Sequence, residues 1–109
     1  MKRLVYLVLK QTPNAFGILE SVRGKGYNGT IMSTESLRHL VEDPLEERSF
    51  INLRHLEQFQ TQESLMCLFI VEENRLSDLK ATIRTATDGF KAIKGFMFSR
   101  PIEDYEGSV

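Results

Sequence analysis

The chain has 109 residues, of which 41% are apolar and 27% are charged, and its formal net charge at pH 7 is −1. This length suits one domain, 1–109, with a single core, and the composition is typical of a globular protein. The near-zero net charge excludes a general electrostatic attraction to nucleic acid or to anionic lipid. Any anion-binding site therefore has to be local.

The N-terminus resembles a secretory signal only superficially. Its apolar run, 4–9, is too short for the apolar region of a signal peptide and far too short to cross a bilayer. The single cysteine, Cys67, has apolar neighbours and cannot form an internal disulfide. We therefore expect a cytoplasmic protein without membrane insertion, in which Cys67 is a buried and unreactive thiol.

Four strands are predicted from the apolar patterns. Residues 3–10 and 64–73 are apolar at both alternating positions, which is typical of strands covered on both faces. Residues 27–34 predict a weaker strand, and residues 95–100 predict the last one.

Two helices are predicted between these strands. The first begins with Thr12 as its cap and Pro13 at its first position, and it ends at Gly24. The second is capped by Asn74 and ends at Asp88-Gly89. The predicted inward-facing side chains are Phe16, Leu19 and Val22 in the first helix and Leu76, Leu79, Ile83 and Ala86 in the second.

This order of elements predicts an α+β fold, a ferredoxin-like βαββαβ sandwich with a long loop between the second and third strands. The long loop is the acidic segment 35–63, and residues 101–109 predict a loose C-terminal tail. The topology places the first and third strands in the middle of the sheet. These are also the two most apolar strands, so pattern and topology agree.

Two helices can cover only one face of such a sheet, yet both central strands are apolar on both faces. In the first strand Val5, Leu7 and Leu9 lie on one side and Leu4, Tyr6 and Val8 on the other. In the third strand Leu65, Cys67, Phe69 and Val71 oppose Met66, Leu68 and Ile70. Leaving six or seven such side chains in water would forgo on the order of 10 kcal/mol, comparable with the roughly 5–15 kcal/mol that stabilises a small domain. We expect self-association, with coverage by segment 35–63 as the alternative.

Three short stretches resemble the PII signal-transduction proteins. They are GYNGTIM at 26–32, IRTATDG at 83–89 and KGFMF at 94–98, and segment 35–63 occupies the place of the partner-binding T-loop of that family. The resemblance implies a homotrimer that binds a small effector in clefts between subunits and a protein target through segment 35–63. The implied effector is an adenine nucleotide or a cyclic dinucleotide, and no catalysis is implied.

The resemblance also implies which residues bind the effector. They are Gly29, Thr30 and Ile31 in the second strand, Asp88, Gly89, Phe90, Lys91 and Lys94 in the loop that cradles phosphate, and Arg100. This loop is poorer in glycine than the loop of the family, and the acidic chain end lacks the family's arginines. The competing interpretation treats Gly89 as a left-handed helix cap and both lysines as solvent-facing.

Two other kinds of protein share this architecture. One is a small dimeric α+β-barrel enzyme of the monooxygenase or isomerase type, and the other is a CutA-like trimer without a nucleotide role. The residues form no nucleophilic constellation, and His39 and His55 lack the close spacing of metal ligands. Both histidines are expected to be solvated.

Overall fold

The computed structural model describes residues 1–34 and 64–108. Segment 35–63, with its predicted T-loop role and both histidines, lies outside the described residues. Within the described part, no helix is long and apolar enough to cross a membrane.

The described residues form four strands, two α-helices and one short 3₁₀ turn. In chain order they are β1 (Lys2–Lys10), α1 (Pro13–Gly24), β2 (Gly29–Thr34), β3 (Ser64–Glu72), the 3₁₀ turn (Glu73–Arg75), α2 (Leu76–Thr87) and β4 (Gly95–Ile102). This order confirms the predicted ferredoxin-like α+β fold.

The sheet has the strand order β2-β3-β1-β4, and each neighbouring pair is antiparallel. The two strands with apolar residues at both parities are therefore the two central strands, as predicted. Leu7 illustrates the register, because it pairs with Cys67 of β3 on one side and with Met97 of β4 on the other.

One face of the sheet packs against both helices and forms the core. The core comprises Val5, Leu7 and Leu9 of β1, Leu65, Cys67 and Phe69 of β3, and Ala15, Ile18, Leu19, Val22, Tyr27, Leu79, Ile83 and Ile93. The structure thereby decides which of the two apolar sets faces the helices, because alternate side chains of a strand point to opposite faces.

The opposite face of the sheet is apolar as well, and we call it the open face. It carries Leu4, Tyr6, Val8, Met66, Leu68, Ile70, Phe96 and Phe98. Phe96 and Phe98 are 54% and 49% exposed, and the Tyr6 and Phe98 rings stack with centroids 4.6 Å apart. Neither of the two described α-helices packs on this face. The described residues therefore leave one apolar face of the sheet uncovered.

Two predicted details of the helices are wrong. The predicted inward position of Phe16 is one, because Ala15, Ile18, Leu19 and Val22 occupy the inward stripe and Phe16 is 55% exposed. Asn74 does not cap α2, since it lies within the 3₁₀ turn and the helix begins at Leu76.

The strand boundaries also differ at two places. β2 begins at Gly29 rather than at residue 27, and Tyr27 enters the core instead. β4 extends through Pro101 to Ile102, two residues into the predicted tail. Proline is compatible with this strand because β4 is an edge strand, where an amide facing away from the sheet needs no partner.

Burial controls the reactivity of Cys67. Its side chain is 3% exposed, and burial raises the pKa of the thiol to about 11. Because the thiolate is the nucleophile and an ordinary thiol has a pKa of about 8.5, we expect reaction with a disulfide reagent at pH 8 to be about a hundredfold slower in the folded protein than in denaturant.

The sign of the pH dependence follows from the raised pKa. The neutral buried thiol contributes its full stabilisation below the unfolded pKa, and this stabilisation declines as the pH rises towards 11. The native reaction rate should climb through the same window. Equal rates at pH 8 in the folded and denatured protein would show that the thiol is accessible.

Candidate functional site

The two halves of the predicted effector site lie at opposite edges of the sheet. Gly29, Thr30 and Ile31 belong to edge strand β2, whereas loop 88–94 leads into edge strand β4. Three strand spacings separate β2 from β4, which amounts to roughly 14 Å. Within one chain the two halves therefore do not meet.

The β2 half contains a groove of about 460 Å³ between α1 and the sheet. Gly29 and Ile31 line it, while Thr30 pairs with Leu68 and lies on the open face instead. The groove is also lined by Phe16, Leu19, Tyr27, Cys67 and Phe69, none of which was predicted to bind a ligand. The sequence offered no signal for them, since Phe16 is predicted there as a core residue and its 55% exposure is visible only in the structure.

Gly29 brings β2 close to the floor of this groove. A Cβ atom at this position would lie 2.7 Å from Sγ of Cys67 and 2.8 Å from the carbonyl oxygen of Leu68. The second contact is to backbone and cannot be relieved by rotating a side chain. Glycine is therefore required here for close approach between strands rather than for an unusual backbone angle.

Tyr27 is held at the groove by groups on the second half of the chain. Its hydroxyl donates a hydrogen bond to the Asp78 carboxylate, and the Arg75 guanidinium carbon lies 4.6 Å from the centre of its ring. Burial, followed by the bond to Asp78, raises the pKa of the Tyr27 hydroxyl. These contacts fix one wall of the groove to the start of α2.

One ion pair belongs to the lining of the groove. The Arg23 guanidinium contacts the Glu20 carboxylate at 2.7 Å, three residues apart on α1. The hydrogen bond from Arg23 lowers the pKa of Glu20. Because both side chains are largely exposed, the pair contributes little to folding, and its charges largely cancel beside the groove.

The other half of the site, loop 88–94, has an unusual backbone. Three consecutive residues are left-handed: Asp88 has φ 54°, Gly89 has φ 64° and Phe90 has φ 63°. The left-handed residue that ends α2 is thus Asp88, and Gly89 follows it. Ile93 is 5% exposed and anchors the far side of the loop in the core.

The amide groups of this loop are engaged inside it. The N–H of Gly89 donates to the Arg84 carbonyl at 2.8 Å, and those of Lys91 and Ala92 donate to the carbonyls of Asp88 and Thr87 at 3.1 Å. The Asp88 amide donates to the Thr85 carbonyl at 3.3 Å, and the Phe90 amide donates to the Thr87 hydroxyl at 3.1 Å. All five consecutive amides from 88 to 92 therefore have partners within the chain.

Thr87 is the centre of this arrangement. Its side chain is fully buried, and its hydroxyl donates to the Ile83 carbonyl at 2.8 Å while accepting the Phe90 amide at 3.1 Å. A buried amide without a partner costs on the order of 1–3 kcal/mol, so this hydroxyl secures the left-handed turn.

The charged groups of the loop face solvent. Lys91, Lys94 and Asp88 are exposed, and the Lys94 carbonyl accepts the Lys10 amide at 2.8 Å, which ties the loop to the end of β1. Arg100 does not join them within one chain. It pairs with Leu4 on the open face, five residues beyond Gly95, or roughly 17 Å along the strand.

The acidic chain end is also remote from the loop. It follows Ile102, at the opposite end of β4 from loop 88–94. In the same chain, the acidic residues after Ile102 thus do not adjoin the two lysines. Among the described residues, no group of three or more His, Cys, Asp or Glu side chains is arranged to hold a metal ion.

Comparisons with known proteins show the fold. No protein-family model and no curated protein matches the chain. A functionally unknown protein from Pediococcus pentosaceus is similar over 98% of this chain and 97% of its own, with a TM-score of 0.61 and 14% identity.

Two structures of CPII from Thiomonas intermedia K12, a nitrogen regulatory PII-like protein, are similar with a TM-score of 0.50. They cover 91% of this chain and 83% of their own, with 15% and 13% identity. The first is bound to ADP and bicarbonate, and the second to ADP, AMP and bicarbonate. At these identities the likeness shows the fold alone, a ferredoxin-like α+β fold that this chain has in common with the PII-like protein.

The role of Thr87 can be tested with two substitutions. Thr87→Val keeps the shape but removes the hydroxyl, so we expect a loss of about 1–3 kcal/mol in the free energy of unfolding. Hydrogen exchange at the Phe90 amide should also become faster, because its acceptor is gone.

Thr87→Ser is the control, since it keeps the hydroxyl and removes a methyl group. It should preserve the slow exchange of the Phe90 amide whatever its effect on stability. Equal exchange rates in the Val and Ser variants would contradict the assigned role of the hydroxyl.

Proposed function

We propose that the chain is one subunit of a homotrimeric PII-like regulator of the cytoplasm. It binds an adenine-nucleotide effector in clefts between subunits and relays binding to a protein partner through segment 35–63, without catalysing a reaction. The observation that carries the proposal is the separation of the two halves of the site to opposite edges of one sheet. A site built from both halves needs two copies of the chain.

The open face supports association into a closed assembly. Each of its large apolar side chains stabilises by ~1.5–3 kcal/mol when fully buried. Phe96 and Phe98 lie on this face and are about half exposed in the single chain, so much of that gain is available to association. Cyclic symmetry then brings the β2 edge of one copy towards the β4 edge of the next.

The groove and the loop suit different parts of a nucleotide. The groove has aromatic walls from Phe16, Tyr27 and Phe69, which suit the faces of a planar base. Lys91 and Lys94 of a neighbouring copy would supply positive charge for phosphate. The ADP bound to the Thiomonas protein supports this class of effector.

The sheet also connects the loop half of the proposed site with segment 35–63. Thr34, where the segment leaves β2, pairs with Ser64, where it rejoins β3, and Ser64 pairs with Lys10. The Lys10 amide in turn bonds to the Lys94 carbonyl. Both ends of the segment and loop 88–94 therefore share one end of the sheet, where bound effector can favour one conformation of the segment.

Assembly can be tested by sedimentation equilibrium at low micromolar concentration. We expect a mass about three times the 12.5 kDa of the chain. Leu68→Lys places a charge in the middle of the open face and should dissociate the trimer, because burying an unpaired charge is costly.

Ala81→Lys is the matched control, since it adds the same charge to the exposed surface of α2. It should leave the trimer intact. A monomeric wild-type protein would overturn the proposed assembly, and a dimer would favour the α+β-barrel enzyme.

Effector binding can be tested by titration calorimetry with adenine nucleotides and cyclic dinucleotides. We expect binding by at least one adenine nucleotide, weakened about tenfold or more by Lys94→Gln because a charge-assisted contact to phosphate is lost. Lys80→Gln on α2 is the control and should leave affinity unchanged. If no member of the panel binds, the proposed effector binding is wrong and only the assignment of the fold stands.

A further inference from the structure

The groove between α1 and β2 is an apolar concavity that the described residues leave open. Phe16 and Ile31 line it and are 55% and 48% exposed. Gly17 lines it as well, and a Cβ atom at that position would meet nothing within 4 Å among the described residues. Glycine inside a helix is destabilising relative to alanine, so a glycine that no described neighbour requires leaves space for a group that approaches α1 from outside. The groove therefore has the room and the apolar walls of a docking site.

Segment 35–63 contains side chains that suit such a groove. In residues 50–59, which we call the apolar stretch, large apolar side chains recur at every third position: Phe50, Leu53, Leu56 and Phe59. Hydrophobic grooves are commonly filled by side chains three or four positions apart on a partner segment. The open face is not free to take them, because the proposed trimer covers it. Docking in the groove removes apolar surface of both the stretch and the groove from water.

The charges beside the two surfaces are complementary. The rim of the groove carries Glu20 and Arg23, three residues apart on α1. The apolar stretch carries the same charge types in the opposite order, with Arg54 followed three residues later by Glu57. When the stretch runs in the same direction as α1, each of its charges faces the opposite charge on the rim. The reverse direction places like charges together, so the charges select one orientation.

The connection to β3 is long enough for this placement. Segment 35–63 rejoins the sheet at Ser64, whereas Gly29, at the far end of the groove, pairs with Phe69, five residues or roughly 17 Å further along β3. Glu57 precedes Ser64 by seven residues, which span up to about 24 Å when extended. Because the stretch is tethered this closely, its effective concentration at the groove is high and weak contacts suffice for docking.

We infer that the apolar stretch docks in the groove of its own chain, parallel to α1, with its apolar side chains against Phe16 and Ile31. Its charged side chains pair across the rim with Glu20 and Arg23. The docking itself is independent of the effector. Its consequence rests on the function proposed above: a base that enters the same groove competes with the stretch and releases it for a protein partner.

Disulfide trapping in the full-length protein tests the docking without any effector. Asn28 lines the groove, whereas Thr30, two residues away, lies on the open face. The double variant Asn28→Cys, Gln58→Cys, which we call the groove pair, should form a disulfide within one chain under mild oxidation. We expect it to form about tenfold faster than in Thr30→Cys, Gln58→Cys, because docking concentrates residue 58 at the groove. Cys67 is buried and does not compete.

Two results of the trapping experiment would overturn the inference. Equal or faster trapping at Thr30 would show that the segment does not prefer the groove to the open face. Trapping of the groove pair only between chains, visible as a dimer on a non-reducing gel, would show that the occupant comes from another copy.

A charge swap tests the orientation of the stretch. The variant Glu20→Arg, Arg23→Glu keeps an ion pair within α1 but reverses its order. In the groove pair, we expect this swap to slow trapping about threefold or more, since two attractive contacts become repulsive. Adding Arg54→Glu, Glu57→Arg restores the complementary order and should restore the rate. A rate that the first swap leaves unchanged, or that the second does not recover, would contradict the parallel docking.

The apolar contacts are tested by Leu56→Ser, Phe59→Ser in the groove pair. We expect trapping to slow about tenfold, because the side chains that fill the groove are lost. Leu37→Ser, Leu40→Ser is the matched control, since it removes two apolar side chains of the same segment outside the apolar stretch. It should leave the rate unchanged. Equal slowing by both variants would contradict docking through residues 50–59.

Titration calorimetry with AMP separates the docking from the proposed function. Leu56→Ser, Phe59→Ser should bind AMP severalfold more tightly than the unaltered chain, because the competing stretch no longer occupies the groove. An unchanged affinity would overturn the competition between stretch and effector. Absence of AMP binding in both proteins would count against the proposed effector, whereas the trapping rates alone decide the docking.

Discussion

The structure depends on two central strands that are hydrophobic on both faces. β1 and β3 give one face to α1 and α2, and the core of a 109-residue domain forms there. Their other face carries Tyr6, Leu68 and their neighbours, on which no described helix packs. The sheet therefore retains a large apolar surface, and that surface is the physical reason to expect further copies of the chain.

The strand order determines where the two halves of the proposed site lie. Because β2 and β4 form opposite edges of the sheet, the groove beside Gly29 and the lysines of loop 88–94 lie on opposite sides of the same chain. In the proposed trimer, the edge that carries one half of the site would adjoin the edge of a neighbouring copy that carries the other half. Assembly and effector binding are therefore linked in the proposed regulator, because covering the open face and completing the site are one event.

Loop 88–94 is held by a local hydrogen-bond network. Its two lysines and its glycine suggest a phosphate cradle, but the Thr87 hydroxyl and nearby carbonyls already accept the amides of residues 88–92. The left-handed turn at Asp88, Gly89 and Phe90 depends on these internal bonds.

The sequence by itself determined the element order, the central place of β1 and β3 and the surplus of apolar surface, because side-chain periodicity is a local property. It also located the left-handed end of α2 at Asp88-Gly89. Only the tertiary structure decided that Tyr27 and Phe16 line a groove with Gly29, that Arg100 lies away from the lysines, and that the amides of residues 88–92 have partners within the chain. Those facts depend on which strands become neighbours and on bonds to Thr87, and no pattern within a single segment specifies either.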